Sequence, residues 1–122
     1  MAAKLNILLI SLPREGEVDL FLTPDYFLND FMRYPPLGLL AIAAGVNPSH
    51  RIEVLDAAVR DMTINETVAA VVEARPDILG ISVLTWRLYA ARRICEKVKA
   101  LLPETIIILG GPHINCHASQ EI

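Results

Sequence analysis

Hydroxyl-bearing residues end or follow one apolar, strand-like run of this sequence, and two glycines follow another. Ser82 and Thr85 lie at and just beyond the end of the run DILGISV, and their hydroxyl groups are short hydrogen-bond partners. Gly110-Gly111 follows the run TIIIL, where missing side chains let a large ligand approach the backbone. Almost no charge accompanies these residues. The pattern therefore favours a flat, bulky ligand with a polar tail over a lone phosphate.

Four short, largely apolar runs predict strands, and the first and third are typical of strands buried within a sheet. They cover Asn6–Ile10, Arg51–Leu55, Asp77–Val83 and Thr105–Leu109, with helix-like segments between them. This alternation predicts parallel pairing with right-handed crossovers. We expect an α/β fold with a flavodoxin-like, doubly wound parallel sheet, a Rossmann-like three-layer arrangement of usual strand order 2-1-3-4-5. Because a fifth strand is missing, we expect the chain (1–122) to be one domain or a fragment, truncated after strand four.

The first two predicted helices have clear start signals. Pro36 suits the first turn of a helix, and Leu37–Val46 after it is apolar nearly all round, so we expect this helix to be buried. Thr63 and Glu66 form a T-x-x-E capping box, which predicts the start of the second helix.

The third helix is expected from about Trp86 to Leu102. Its inward face is predicted to hold Tyr89, Ala90, Ile94, Val98 and Leu101. Its solvated face is predicted to hold Arg87, Arg92 and Arg93.

A long segment from Ser11 to Pro35 has no regular pattern and carries many aromatic residues. A structureless loop of this length is unusual in a compact domain. Either part of it is helical, with Asp25–Phe31 the best candidate, or it is a functional flap.

Composition excludes several classes of protein. The chain is 53% hydrophobic, yet no apolar run reaches the roughly 18–20 residues of a membrane span. The net charge of −3 gives no basic face for nucleic acid. Cys95 and Cys116 lie far apart, which argues against a disulfide scaffold or a zinc knuckle. We expect a cytoplasmic protein with no membrane and no nucleic-acid partner.

Common ligands of such sheets leave signatures after the strands, and these are absent. The loop SLPREG after strand one is neither a dinucleotide fingerprint nor a Walker loop, and it lacks the Ser, Thr and Gly of a flavodoxin phosphate loop. A phosphoryl-accepting receiver would need clustered acids there and an Asp after strand three, where Ser82 to Thr85 stand instead.

The remaining pattern resembles that of cobalamin-binding domains. Ser82-Val83-Leu84 is similar to their Ser-x-Leu motif, and LGGPH resembles their Gly-Gly after the next strand. The resemblance implies that the cobalamin nucleotide tail inserts along the sheet beside Ser82 and Gly110-Gly111. Their third motif, Asp-x-His-x-x-Gly, is replaced by Ser11–Gly16, so no cobalt-ligating histidine is carried over.

A narrower resemblance rests on the order of several short motifs. The first strand with Pro13, then YPPLGLLAIAA, HRIEVLDA, PDILGIS and GGPH, resemble the amino-terminal domain of cobalamin-dependent radical S-adenosylmethionine enzymes. That group includes methyltransferases and anaerobic magnesium-protoporphyrin IX monomethyl ester cyclases. The resemblance implies base-off cobalamin, with S-adenosylmethionine and a [4Fe-4S] cluster in a separate radical domain of the parent enzyme. This chain lacks the cluster-binding Cys-x-x-x-Cys-x-x-Cys.

The residues that the resemblance assigns to the cofactor come from three loops, and no catalytic or metal-binding residue is assigned. They are Pro13, Ser82, Leu84, Thr85, Gly110, Gly111, Pro112 and His113.

Plainer interpretations stay open for several of these positions. The two glycines could form a tight turn, Ser82 or Thr85 could cap the third helix, and Asp56 could cap a turn. The whole domain could instead be a cofactor-free interaction or regulatory module, or a corrinoid methyl carrier. An unpaired strand four would be an open edge, so homodimerisation through that edge is also expected.

Overall fold

The core of the molecule is a four-stranded parallel sheet. In the computed structural model, which describes residues 3–17 and 34–121, the strands are β1 (Asn6–Ser11), β2 (Arg51–Asp56), β3 (Ile78–Ser82) and β4 (Ile106–Gly110). Their order is β2-β1-β3-β4, and every pair is parallel. The predicted flavodoxin-like, doubly wound class is therefore confirmed through four strands.

The connections are helices, as the alternating pattern predicts. They are α1 (Leu37–Gly45), α2 (Ile64–Ala74), α3 (Leu88–Leu101) with a 3-10 turn (Thr85–Arg87) before it, and α4 (Pro112–Glu121). The last of these helices, α4, follows β4 directly and begins at Pro112. No helix within the described ranges is long and apolar enough to cross a membrane.

The start of α2 shows why its sequence forms a helix there. The Thr63 hydroxyl accepts the amide of Glu66 at 3.0 Å, and the Glu66 carboxylate accepts the amide of Thr63 at 3.1 Å. The predicted capping box is thus confirmed. The Glu15 carboxylate accepts the amide of Ile64, so the loop after β1 is tied to the same helix end.

One face of the sheet, which we call the closed face, is covered by α2 and α3. Leu8 and Ile10 of β1 and Leu79 and Ile81 of β3 project to it, and each is at most 5% exposed. The helices add a contiguous set of buried residues: Ile64, Val68, Val71, Ala90, Ala91, Ile94 and Val98. This face supplies most of the apolar burial that stabilises the fold.

The opposite face, which we call the open face, carries Ile7, Leu9, Ile78 and Gly80 in the alternating positions. Within the described residues α1 is the helix packed on it, and α1 contacts β1 and β2. The half of this face over β3 and β4 stays uncovered there, and Ile108 is 54% exposed.

The expectation that α1 is buried is wrong. Leu39 is its buried residue, whereas Leu37 and Ile42 are 70% and 57% exposed. A helix that is apolar on all sides can still contact a sheet along one stripe, and nothing in the described residues covers its other sides. The predicted helix over Asp25–Phe31 lies outside the described residues.

The inward face of α3 differs from the prediction at both ends. Ala90, Ile94 and Val98 are buried as expected, but Tyr89 and Leu101 are exposed. Because Gly16 comes so close to Tyr89 that a Cβ would lie 2.3 Å from its ring, Tyr89 faces the loop after β1 rather than the core. Homodimerisation through the edge of β4 stays a prediction.

Candidate functional site

The carboxyl ends of the four strands align into one row of small and polar residues. Ser11 pairs with Asp56 on one side and with Ser82 on the other, and Ser82 pairs with Gly110. Since Leu9 and Gly80 face the open face, the residues two positions later face it as well. The row therefore lies at the edge where ligands of doubly wound sheets bind.

Asp56 is held within this row by the chain itself. The Ser11 hydroxyl donates to its carboxylate at 2.6 Å, and the amide of Val59 donates to the same oxygen at 3.2 Å. The carboxylate caps the turn after β2, which confirms the turn-cap interpretation of Asp56.

An apolar groove of about 470 Å³ crosses the uncovered half of the open face. Its floor is Gly80, Ser82 and Gly110, and its walls include Leu9, Ile42 and Ile108. We call it the open-face groove. Gly110 lacks a side chain and has no atom over it within contact distance, so a flat group can lie directly on the backbone there.

The glycines along this groove differ in what a Cβ at each position would contact. A Cβ on Gly110 would meet nothing within 4 Å, so that position opens onto free space. A Cβ on Gly80 would lie 2.6 Å from Cδ2 of Leu9, a side chain that leans over it.

At Gly111, the backbone conformation and the packing of the chain itself require glycine, in addition to any ligand. Its φ is +94°, and a Cβ there would lie 2.8 Å from the Val83 nitrogen and 2.9 Å from the Val83 oxygen. The tight-turn interpretation is therefore right for Gly111, although its backbone also borders the groove.

A second cavity of about 290 Å³, the edge cavity, adjoins the groove at the strand ends. Three residues line both spaces and mark where they meet, namely Ser82, Gly38 and Leu39. The polar residues of the edge cavity are Ser11, Arg14, Asp56 and Arg87, and its apolar ones include Tyr34, Leu84 and Trp86. A ligand spanning both spaces would meet an apolar slot at one end and hydrogen-bonding groups at the other.

Arg87 is anchored at the border of this cavity, which corrects its assignment to a solvated face. Its Nη1 donates to the carbonyl of Leu12 at 3.2 Å, and its Nε lies 3.7 Å from the carboxylate of Glu17. Arg14 pairs with the same carboxylate at 3.2 Å. Burial lowers the pKa of Arg87 from its ordinary value, and the nearby charge of Glu17 partly opposes that shift.

Some of the residues that the family resemblance assigns to the cofactor line the two spaces, and others do not. Ser82, Gly110, Gly111 and Pro112 line the open-face groove, and Leu84 lines the edge cavity.

The other three predicted residues, Pro13, Thr85 and His113, line neither space. Pro13 is less than 2% exposed, and His113 is 5% exposed. Thr85 does not cap α3, because no side-chain cap is made at this helix start and its hydroxyl lies 3.0 Å from Nδ1 of His113. Ser82 is no cap either.

Sequence reasoning missed the groove residues Gly38, Gly80 and Ile108 and the cavity residue Arg14. One signal was available, since a glycine inside a buried strand such as DILGISV often marks a close approach to the backbone. No local pattern indicated Arg14, because its position depends on the loop in which it pairs with Glu17. Among the described residues, no three His, Cys, Asp or Glu side chains are grouped to hold a metal ion.

The fold and these two spaces are those of an α/β domain with a candidate ligand site at the carboxyl ends of a parallel sheet. A family model described as the B12 binding domain matches residues 28–121, and the chain belongs to that family. This confirms the broader resemblance to cobalamin-binding domains.

One relative is an uncharacterized methyltransferase of Pyrococcus horikoshii, 30% identical over 80 residues. Those residues are 66% of this chain and 17% of that protein, so the chain spans about a sixth of the length of its relative. No solved structure matches.

Proposed function

We propose that this B12-binding domain holds cobalamin with its nucleotide tail in the open-face groove and its corrin ring over the edge cavity. The observation that carries the proposal is the continuity of an apolar, glycine-floored slot with a polar cavity through Ser82. Cobalamin has the matching two-part chemistry, namely a flat aromatic base on a tail and a corrin ring fringed with amides.

The residues present fit this division. The aromatic base of the tail would pack on the bare backbone of Gly110, beside the side chains of Leu9 and Ile108, and would remove apolar surface from water. The hydroxyl of Ser82 would offer it a hydrogen bond. In the edge cavity, Arg14 can donate to amide oxygens of the corrin fringe, and the carboxylate of Asp56 can accept from its amide nitrogens. Cobalamin bound there supplies a cobalt centre that can carry a methyl group.

We further propose that the cofactor is bound base-off and without an imidazole from the loop after β1. That loop holds Pro13 where the family motif has its histidine, and Pro13 is buried within the chain. His113 supports the same conclusion, because it lines neither the groove nor the edge cavity.

The parent activity that we propose is that of a cobalamin-dependent radical S-adenosylmethionine enzyme. The order of the short motifs and the name of the relative, a methyltransferase, favour methyl transfer over the cyclase-type chemistry of the same group. The partner would be a radical domain of the same protein, with its own S-adenosylmethionine and [4Fe-4S] cluster. This domain would hold the corrin for that partner and have no turnover alone.

A titration with hydroxocobalamin, read by visible absorption, tests the binding. We expect saturable binding that Gly110→Leu weakens at least about tenfold, since the side chain would fill the groove floor. Gly45→Leu is the matched control, because a Cβ at Gly45 also meets nothing within 4 Å and Gly45 borders neither space.

The spectrum of the complex decides the ligation. A base-off spectrum unchanged by His113→Asn would agree with the proposal, and a base-on or histidine-ligated spectrum would contradict it. Absence of any binding would favour a cofactor-free module instead.

A further inference from the structure

We infer that Thr85 and His113 are positioning residues: their side-chain hydrogen bond is a latch that sets how tightly the open-face groove holds the nucleotide tail. This inference rests on the proposed cobalamin function. Neither residue lines the groove or the edge cavity, so neither acts by touching the ligand.

The latch joins the two loops that build the groove mouth. The loop after β3 and the turn after β4 are connected by two backbone hydrogen bonds, from the Val83 amide to the Gly110 carbonyl at 2.8 Å and from the His113 amide to the Val83 carbonyl at 3.2 Å. The third connection is the contact between Thr85 Oγ1 and His113 Nδ1 at 3.0 Å. Because it is made by side chains, it can be removed without changing the backbone.

The two loops touch closely enough that movement of one must move the other. Gly111 leaves no room for a Cβ against the backbone of Val83 or the hydroxyl of Ser82, at 2.8 to 3.0 Å. Ser82 lies directly before Val83 and borders both ligand spaces. A shift of the loop after β3 would therefore alter the junction at which the tail enters.

The two members of the latch differ in burial. His113 is 5% exposed and its ring lies 4.9 Å from that of His117, so its position is fixed by packing. Thr85 is exposed and starts the 3-10 turn. His113 is therefore held in place by its surroundings, and Thr85 ties the exposed start of the 3-10 turn to it.

The variants are chosen to separate the latch from general stability. Thr85→Val removes the hydroxyl with little change in shape, and Thr85→Ser restores it. Thr105→Val is the matched control: the Thr105 hydroxyl donates to the carbonyl of Pro76 at 2.8 Å, at the opposite end of the same sheet.

Affinity for cobalamin and for cobinamide, which lacks the nucleotide tail, is the first readout. We expect Thr85→Val to weaken cobalamin binding about three- to tenfold, the range for one net hydrogen bond, and to change cobinamide binding less than about twofold. Thr85→Ser should recover the cobalamin affinity, and Thr105→Val should leave both affinities unchanged.

Amide hydrogen exchange in the cofactor-free chain is the second readout. Exchange at Val83 and His113 should be faster in Thr85→Val than in Thr105→Val. Unchanged cobalamin affinity in Thr85→Val, or an equal loss for cobinamide, would overturn the inference. If the unaltered chain bound no cobalamin, both the proposed function and the role of the latch in cofactor binding would fail. If exchange rates in Thr85→Val were unchanged, only the latch would be overturned, and the proposed function would stand.

Discussion

The two faces of the sheet are built from similar apolar strands but are used differently. On the closed face α2 and α3 bury a contiguous core, and Ile94 and Val98 are fully excluded from solvent. On the open face α1 covers β1 and β2, while Gly80 and Gly110 leave a groove over β3 and β4. Stability and ligand binding are therefore assigned to opposite sides of one sheet, and a substitution should affect mainly one of them.

Strand β4 shows this difference within three consecutive isoleucines. Ile107 packs with the closed-face core, whereas Ile106 and Ile108 are 58% and 54% exposed on the open face. The sequence TIIIL is equally apolar on both sides, so its composition does not distinguish a core position from a groove wall.

The largest expected effect separates the two faces by stability. Ile94→Ala should lower the free energy of unfolding by about 2–5 kcal/mol, because it leaves a cavity in the closed-face core. Ile108→Ala removes a half-exposed side chain and should cost no more than about 0.5 kcal/mol. Urea unfolding of both variants measures the difference, and similar losses would show that the faces are not energetically distinct.

A second comparison tests the two adjacent glycines. Gly111→Ala should destabilise the fold by about 1–3 kcal/mol, since it adds a Cβ at a positive φ and against the backbone of Val83. Gly110→Ala should be tolerated, because its Cβ meets nothing within 4 Å. Thermal unfolding of the pair is the measurement. Equal stability of the two variants would contradict the close approach of Gly111 to Val83.

The capping box gives a smaller effect on the closed face. Thr63→Ala removes the acceptor for the Glu66 amide and should cost about 1 kcal/mol, whereas Thr63→Ser keeps it. Neither variant should change cobalamin affinity, since Thr63 lines neither the groove nor the edge cavity. Unfolding curves and a cobalamin titration on the same samples check both expectations. A change in affinity would mean that the closed face influences ligand binding on the open face.

The smallest perturbation is chemical labelling of the two cysteines. Burial raises the pKa of Cys95, and the charge of Glu96 adds to that shift, so less thiolate is present at neutral pH. Cys116 is exposed on α4. A maleimide or disulfide reagent should therefore modify Cys116 first, and Cys95 should gain more from a rise in pH. Faster reaction at Cys95 would mean that the closed face opens readily.

Much of the fold is readable from local patterns. Strand and helix order follow from short apolar runs and from the Thr63 cap, and the strand order follows from parallel topology. Burial of α1 does not follow, because a helix apolar all round does not reveal which of its sides meets a partner. The burial of Arg87 depends on Glu17 and the carbonyl of Leu12, which come from a distant loop.

The candidate site is partly readable for the same reason. Ser82 and Gly110 border the groove, as motif positions at strand ends should. The family resemblance assigned Thr85 and His113 to the cofactor with them, yet their side chains contact each other and line neither space. Such a side-chain pair depends on tertiary contacts 28 positions apart in the chain, which no local pattern encodes.

Mapping of amide chemical shifts on addition of hydroxocobalamin tests the division of roles most directly. The account predicts the largest shifts at Gly80, Ser82 and Gly110 on the open face. It predicts small shifts along α2 at Ala70 and Val72, which lie on the closed face. Large shifts along α2, or none at Gly80 and Gly110, would contradict the assignment of cobalamin to the open-face groove.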